Sequence, residues 1–375
     1  MTYPPVLAMN YLRSWDTYAL SADTSTVIGM HWDEMNPSSG VFRWSVADQY
    51  ATFLDAHGKE AIVAFAYNQN GPYWFEPTGF KTPGSAARTT YVANYVAWVT
   101  AFMQRYKGRR FTRFEIMNEP NNAGATQNLP AELVAQLYAA AGPIIQSYGG
   151  ILLSPPLNSN GSGYLSSFLS AGGTGFTEMS FHFYDKSDPT LTAAQGGHQA
   201  IAAAYDTVLA TWGLTNLPRN VSELSYATAY GVGQTAATER DYIGWMFPEM
   251  RGWSDKVQHI TWYAYDNANT GKLYTTGTTL NVAGSAMVEM EGWLIGAVVD
   301  PVEFFNSNLS VSRIHRASGY YAEIVSTRSG TVTYSFPTGR FLRYRDLAGN
   351  ITAIGAATSS VSVGTSALIL ESGTG

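Results

Sequence analysis

At 375 residues the chain can fill one large α/β domain of about 250–300 residues and a small second one, but not two large ones. Its 22 Lys and Arg against 28 Asp and Glu, a net charge of −6 with no basic run, exclude the counterion-releasing field of a nucleic-acid binder, and a 45% hydrophobic content excludes a disordered chain. With no cysteine there can be no disulfide, zinc–thiolate site, iron–sulfur cluster or thiol nucleophile, and no apolar stretch approaches the ~20 residues of a membrane span.

The opening Met1-Thr-Tyr-Pro-Pro5 lacks the basic and apolar regions of a signal peptide, so the chain is expected either not to be exported by that route or to have been trimmed. Its low charge and many Ser, Thr and Tyr nonetheless point to an extracellular or cell-surface setting. Short apolar, β-branched or aromatic runs then recur at 6–10, 27–32, 61–67, 111–117, 150–154, 178–184, 220–224 and 258–265, eight in all. Between them, 45–57 carries Val46, Tyr50, Phe53 and Leu54 at helical spacing, with Ser45 placed to cap its start and Gly58 to stop it. The stretches 91–106, 133–148, 198–212, 239–250 and 283–298 show the same stripe. Strands alternating with helices predict parallel βαβ units, and eight of them predict a (β/α)8 TIM barrel over 1–300. An open doubly wound sheet is the competing arrangement, but no Gly-x-Gly-x-x-Gly loop follows an early strand.

After about residue 300 the helical stripes stop, and Ser, Thr, Gly, Val and Tyr dominate. Strand-like runs at 320–326, 330–335, 340–344, 361–363 and 367–370, separated by glycine turns, predict a small antiparallel β-sandwich over 301–375. No low-complexity linker separates the two parts, so a fixed interface is expected.

A barrel carries its active site at the C-terminal ends of its strands. The fourth run ends Phe114-Glu-Ile-Met-Asn118-Glu119-Pro120-Asn121-Asn122, and the seventh ends Val221-Ser-Glu223-Leu-Ser-Tyr226. Each places a carboxylate where an apolar strand meets its loop, on strands that face each other across the mouth. Such a pair about 5 Å apart suits nucleophile plus acid/base, and a wider gap admits a water and gives inversion. Either Glu alone could be structural, capping the next helix. No His-x-x-x-His pairing appears among the six histidines, so no catalytic metal is expected, and no Gly-x-Ser-x-Gly elbow or Walker loop is present. Asn-x-Ser/Thr sequons stand at Asn160, Asn220, Asn308 and Asn350.

Asn118-Glu119-Pro120 with a Glu closing strand seven resembles the retaining glycoside hydrolases of clan A. The stretch His31-Trp32-Asp-Glu-Met-Asn36-Pro37-Ser-Ser-Gly40-Val-Phe42-Arg-Trp44-Ser45-Val-Ala-Asp48 is similar to the strand-two segment of family 39, and His182-Phe-Tyr184 and Trp262 match the same pattern. The tail, with Arg345-Asp-Leu-Ala-Gly-Asn350, resembles the β-sandwich appended to such barrels. The strand-seven context departs from the Thr-Glu-Trp more usual in that family.

The resemblance implies a retaining O-glycoside hydrolase acting on a β-linked saccharide without a cofactor. Its implied partner is the saccharide alone, with no nucleic acid, membrane or obligatory protein. Glu223 would be the nucleophile and Glu119 the acid/base, which burial and the charge of Glu223 would help keep protonated. Asn118 would hydrogen-bond the sugar 2-hydroxyl, Tyr184 would donate to Glu223, His182 would lie near both carboxylates, and Trp262 would stack beneath the ring. Trp32, Tyr67, Trp74 and Tyr226, with Asn68, stand where further ligand contacts are expected, although aromatic residues also serve as core filler. The alternatives are another clan A activity, such as an arabinofuranosidase, or a catalytically idle barrel that binds glycan on a cell surface or phage particle.

Overall fold

A computed structural model describes residues 12–15, 20–23, 31–67, 71–122, 128–158, 160–185, 198–226, 235–263, 273–276, 279–305 and 308–373. Eight strands, β1 (Leu12–Trp15), β2 (Leu20–Asp23), β3 (Glu60–Phe65), β4 (Phe111–Ile116), β5 (Ile151–Leu152), β6 (Met179–Asp185), β7 (Arg219–Tyr226) and β8 (Val257–Tyr263), form one sheet in the order β5-β4-β3-β1-β2-β8-β7-β6. Parallel bridges Leu153↔Glu178 and Leu157↔Phe181 join its ends, which closes the sheet into the expected barrel. The helices are α1 (Trp32–Met35), α2 (Ser45–His57), α3 (Ala86–Arg105), α4 (Ala131–Ser147), α5 (Ser162–Ser170), α6 (His198–Thr211), α7 (Ala236–Trp253) and α8 (Val282–Leu294). From β3 onward strands and helices alternate, and neighbouring strands run parallel.

The start of the barrel departs from expectation. Residues 6–10 and 27–30 lie outside the described residues. β1 and β2 are antiparallel to each other, and β1 is also antiparallel to β3, while β2 runs parallel to β8. Trp32 opens α1 instead of ending a strand. Asp33 and Glu34 in that first turn complement the helix dipole, and the His31 N–H donates to the Glu34 carboxylate at 3.3 Å, a cap that a strand would not use. α2 has the expected span, but Trp44 is its N-cap and makes no side-chain bond there; Gly58, left-handed at φ 65°, ends it. α3 starts earlier than its stripe because Ser85 Oγ accepts the Arg88 N–H at 3.1 Å.

The barrel interior is largely polar, apart from a small apolar group of Ile62, Ile151 and Leu153. At its N-terminal end Arg113 pairs with Glu178 at 2.8 Å and with Glu60 at 3.4 Å. Asn220 donates to Glu178 at 2.9 Å and lies 2.7 Å from His259 Nδ1. Burial holds His259 down to about 3, so that imidazole is neutral. One layer higher, Ser180 Oγ donates to Glu115 at 2.5 Å and lies 2.7 Å from Ser222 Oγ. These hydrogen-bonded layers form the floor of the site.

After a short hairpin, β9 (Tyr274–Thr276) and β10 (Thr279–Leu280), and then α8, the chain forms a second sheet. Its strands are β11 (Val298–Val299), β12 (Glu303–Phe305), β13 (Leu309–His315), β14 (Tyr321–Thr327), β16 (Arg343–Asp346), β17 (Ile351–Ala353) and β19 (Leu368–Glu371), in the order β11-β13-β14-β19-β16-β17 with β12 also on β13. β15 (Val332–Ser335) pairs with β18 (Ser360–Val363) alone. Two-residue alternation splits the large sheet. Leu309, Val311, Val325 and Leu370 pack with Phe336, Phe341 and Val363, whereas Ile314, Ala322, Ile324 and Ile369 join the core of the barrel. No described helix is long and apolar enough to cross a membrane.

Candidate active site

Two irregularities in the backbone build the centre. After β4 the chain passes through Met117 at φ 66° and Glu119 at φ 41°, left-handed positions costly for side-chain-bearing residues. They are held by backbone bonds from Met117 to the Phe65 carbonyl (3.2 Å), from Glu119 to the Pro156 carbonyl (2.9 Å) and from Asn122 to the Glu119 carbonyl (2.9 Å). On β7, Phe181 pairs with Val221, but the next residue, His182, pairs with Glu223, so Ser222 is an extra residue in a β-bulge. The bulge lets Ser222 and Glu223 both face inward, and Leu224 then returns to the helix side. A regular strand would have sent one of the pair outward.

Glu119 and Glu223 are each 7% exposed. His182, fully buried, places Nδ1 2.8 Å from Glu119 Oε1 and 3.2 Å from Glu223 Oε2. One donor atom from each of the three lies within 4.8 Å of the others. Tyr184 donates to Glu223 Oε2 at 2.5 Å; burial, and then the charge of Glu223, push its hydroxyl well above the usual range, so it donates as a neutral phenol. Asn122 Nδ2 donates to Glu119 Oε2 at 2.8 Å. An imidazole between two carboxylates is also a donor set for a divalent metal. Its two shortest separations, 2.8 and 3.2 Å, are hydrogen-bond distances, longer than a bond from a metal to nitrogen or oxygen.

The sequence matches the family described as Cellulase (glycosyl hydrolase family 5) over residues 9–271. The chain belongs to that family. It is a clan A glycoside hydrolase and an O-glycosidase, as the motifs imply, with the family match falling on family 5. No curated protein matches the sequence. Among solved structures, this cellulase-family fold is similar to a family 39 glycoside hydrolase from the gut symbiont Bacteroides cellulosilyticus WH2, with TM-score 0.68 and 15% identity over 91% of this chain and 74% of that one. It is similar to a glucosidase from Croceicoccus marinus, with TM-score 0.59 and 12% identity over 90% and 83% of the two chains. A family 51 arabinofuranosidase from Xanthomonas axonopodis pv. citri shares the fold at TM-score 0.53 and 12% identity, over 86% and 78%.

In the cellulase-family barrel the structure gathers Glu119, Glu223, His182 and Tyr184 at one point, with Asn118 buried in the turn that carries Glu119. It does not offer Trp262 to a ligand: that ring is wholly buried and packs 6.2 Å from Phe247 of α7. Alternation along β8 explains this. His259 points into the barrel, so Thr261 and Tyr263 do too, and Trp262 points to the helices. Trp32 is likewise core, stacked 3.6 Å from Phe75 and 5.4 Å from Trp98. Tyr67 is buried, its hydroxyl 2.8 Å from Glu76 Oε1 and 3.2 Å from the hydroxyl of Tyr91. Trp74 keeps part of its ring exposed on the loop after β3, while its indole N–H donates to the Asn36 carbonyl at 2.6 Å. Asn68 lies outside the described residues; Tyr226 ends β7, and its side chain is outside them too. The residues that pattern reading missed are Asn122 and Tyr263. Asn122 stands within the motif already singled out, three residues past Glu119. Tyr263, half-buried at 6.1 Å from the Tyr184 ring, could have been found by counting strand alternation from His259.

Proposed function

We propose that this glycosidase cleaves a β-linked oligo- or polysaccharide with retention, Glu223 acting as nucleophile and Glu119 as acid/base. The observation that carries the reading is the carboxylate gap. Oxygens of Glu119 and Glu223 lie within 4.8 Å of each other, below the ~6.5–9.5 Å that accommodates an attacking water in an inverting site. In the first step the Glu119 proton passes to the glycosidic oxygen as the C1–O bond breaks and a Glu223 oxygen bonds to C1. In the second, Glu119 takes a proton from water, whose oxygen bonds to C1 as the ester bond breaks. Tyr184 steadies the nucleophile. The family name makes a β-linked glucan the first substrate class to test. We further assign catalysis to 1–300 and a supporting role to 301–375.

Glu223→Gln is expected to lower kcat by at least about 10³-fold on aryl β-glycosides and soluble β-glucans. Glu119→Ala is expected to lose about 10²–10⁴-fold on unactivated saccharide and to form a β-glycosyl azide when azide is added with an activated substrate. NMR of fresh product should show the β-anomer first. Full activity in Glu223→Gln, or α-anomer first, overturns the reading.

A further inference from the structure

We infer that Asn122 is a positioning residue for the acid/base, fixing which oxygen of Glu119 carries the transferable proton and favouring the ionised form that the second step needs. The inference rests on the retaining reading above. Asn122 Nδ2 lies 2.8 Å from Glu119 Oε2. An amide nitrogen only donates, so Oε2 is an acceptor and the acid proton belongs on Oε1. Oε1 is the oxygen turned toward the nucleophile, since it lies 2.8 Å from the His182 nitrogen that is itself 3.2 Å from Glu223 Oε2. The proton therefore starts on the side of Glu119 that faces the nucleophile, with His182 Nδ1 as its acceptor.

The local chain makes this contact rigid. The Asn122 N–H donates to the Glu119 carbonyl at 2.9 Å, closing the turn Glu119-Pro120-Asn121-Asn122 with proline at its second position. The adjacent amide does different work. Asn121 Nδ2 donates to Asn158 Oδ1 at 2.7 Å, and its Oδ1 accepts the Asn158 N–H at 3.3 Å, bracing the turn against the loop after β5. Tyr205 of α6 holds that loop through the Asn158 carbonyl at 2.7 Å. Asn121 thus braces the turn, and Asn122 addresses the carboxylate.

A donor bonded to a carboxylate favours its charged form, whereas burial and a neighbouring negative charge favour the neutral one. In the free enzyme Glu223 is present as that second charge. In the glycosyl-enzyme it is esterified and the repulsion is gone, so the Asn122 bond then holds Glu119 ionised, ready to take the proton from water on Oε1. Loss of the amide should therefore weaken the second step more than the first.

The test uses Asn122→Ala and the near-isosteric Asn122→Asp, read through pH profiles. The alkaline limb of kcat/KM is expected to move up by about one pH unit in Asn122→Ala and further in Asn122→Asp, which adds a like charge. On a dinitrophenyl glycoside, where the second step limits turnover, kcat is expected to fall about tenfold with kcat/KM nearly unchanged at the optimum. A profile in Asn122→Asp that superimposes on wild type, whatever the change in kcat, overturns the inference while leaving the retaining reading intact. Wild-type kcat/KM on unactivated saccharide in Glu119→Gln overturns the reading itself.

Discussion

Glu239 carries a carboxyl that the chemistry of the site does not use. It stands in the first turn of α7, 3% exposed, and neither oxygen has a hydrogen-bond partner among the described residues. Burial pushes it up from 4.5 to about 8. Between those values the unfolded chain is ionised while the folded chain keeps its proton, so the folded state binds more protons and stability falls as pH rises through that window. At about 1.4 kcal/mol per pH unit the loss is on the order of a few kcal/mol. Melting temperature is expected to drop more steeply from pH 5 to 8 in wild type than in Glu239→Gln; parallel curves would contradict it. At this scale the sequence was legible where chemistry is concentrated and opaque where burial decides. Asn118-Glu119-Pro120 and His182-Phe-Tyr184 announced themselves by type and place. Nothing in a glutamate of a helical stripe distinguishes Glu239 from an exposed one, and the sequon at Asn220 gives no hint that its side chain is locked to Glu178 inside the barrel.

Among elements, helices with a 3.6-residue stripe were readable to within a few residues, because their apolar face is a property of the chain itself. Strand irregularities were not. The bulge at Ser222 and the left-handed pair Met117 and Glu119 are imposed by neighbouring strands and by backbone bonds from distant loops. α1 and the loop after β3 show the same limit. Trp32 looked like a ligand platform because it follows a strand-like run, yet it stacks between Phe75 of that loop and Trp98 of α3, which joins the three elements. The two roles separate experimentally. Trp32→Ala should cost about 3–5 kcal/mol in urea unfolding while the folded enzyme keeps its KM. A raised KM at unchanged stability would restore Trp32 to the binding surface.

For the whole molecule, the change of texture near residue 300 marked where sheet replaces helix, but not how closely the C-terminal sheet joins the barrel. α7 is the common wall. Gly244 faces Ala367 and Leu347 so closely that an added Cβ would lie 2.9 Å from the first and 3.0 Å from the second. Trp245 donates to the Thr365 carbonyl at 2.7 Å, and the Thr365 hydroxyl donates to Asp241 at 2.7 Å. Within this wall Arg328, just past β14, pairs with Glu249 of α7 and lies 4.8 Å over the Trp245 ring, while His198 of α6 lies 3.9 Å from the same carboxylate. Burial brings Arg328 down to about 10 and His198 to about 3, so the guanidinium remains charged at neutral pH beside an uncharged imidazole. Removing one partner strands the other charge in the interior. Arg328→Met and Glu249→Gln are each expected to cost about 3 kcal/mol, and the double variant less than their sum by at least ~1 kcal/mol. Because Ile314, Ile324 and Ile369 share one apolar cluster with Met246 and Phe247, all four proteins should unfold in a single transition by fluorescence and circular dichroism. Strict additivity, or a first transition that releases the C-terminal sheet alone, would show that the two parts are stabilised separately and that the buried pair does not join them.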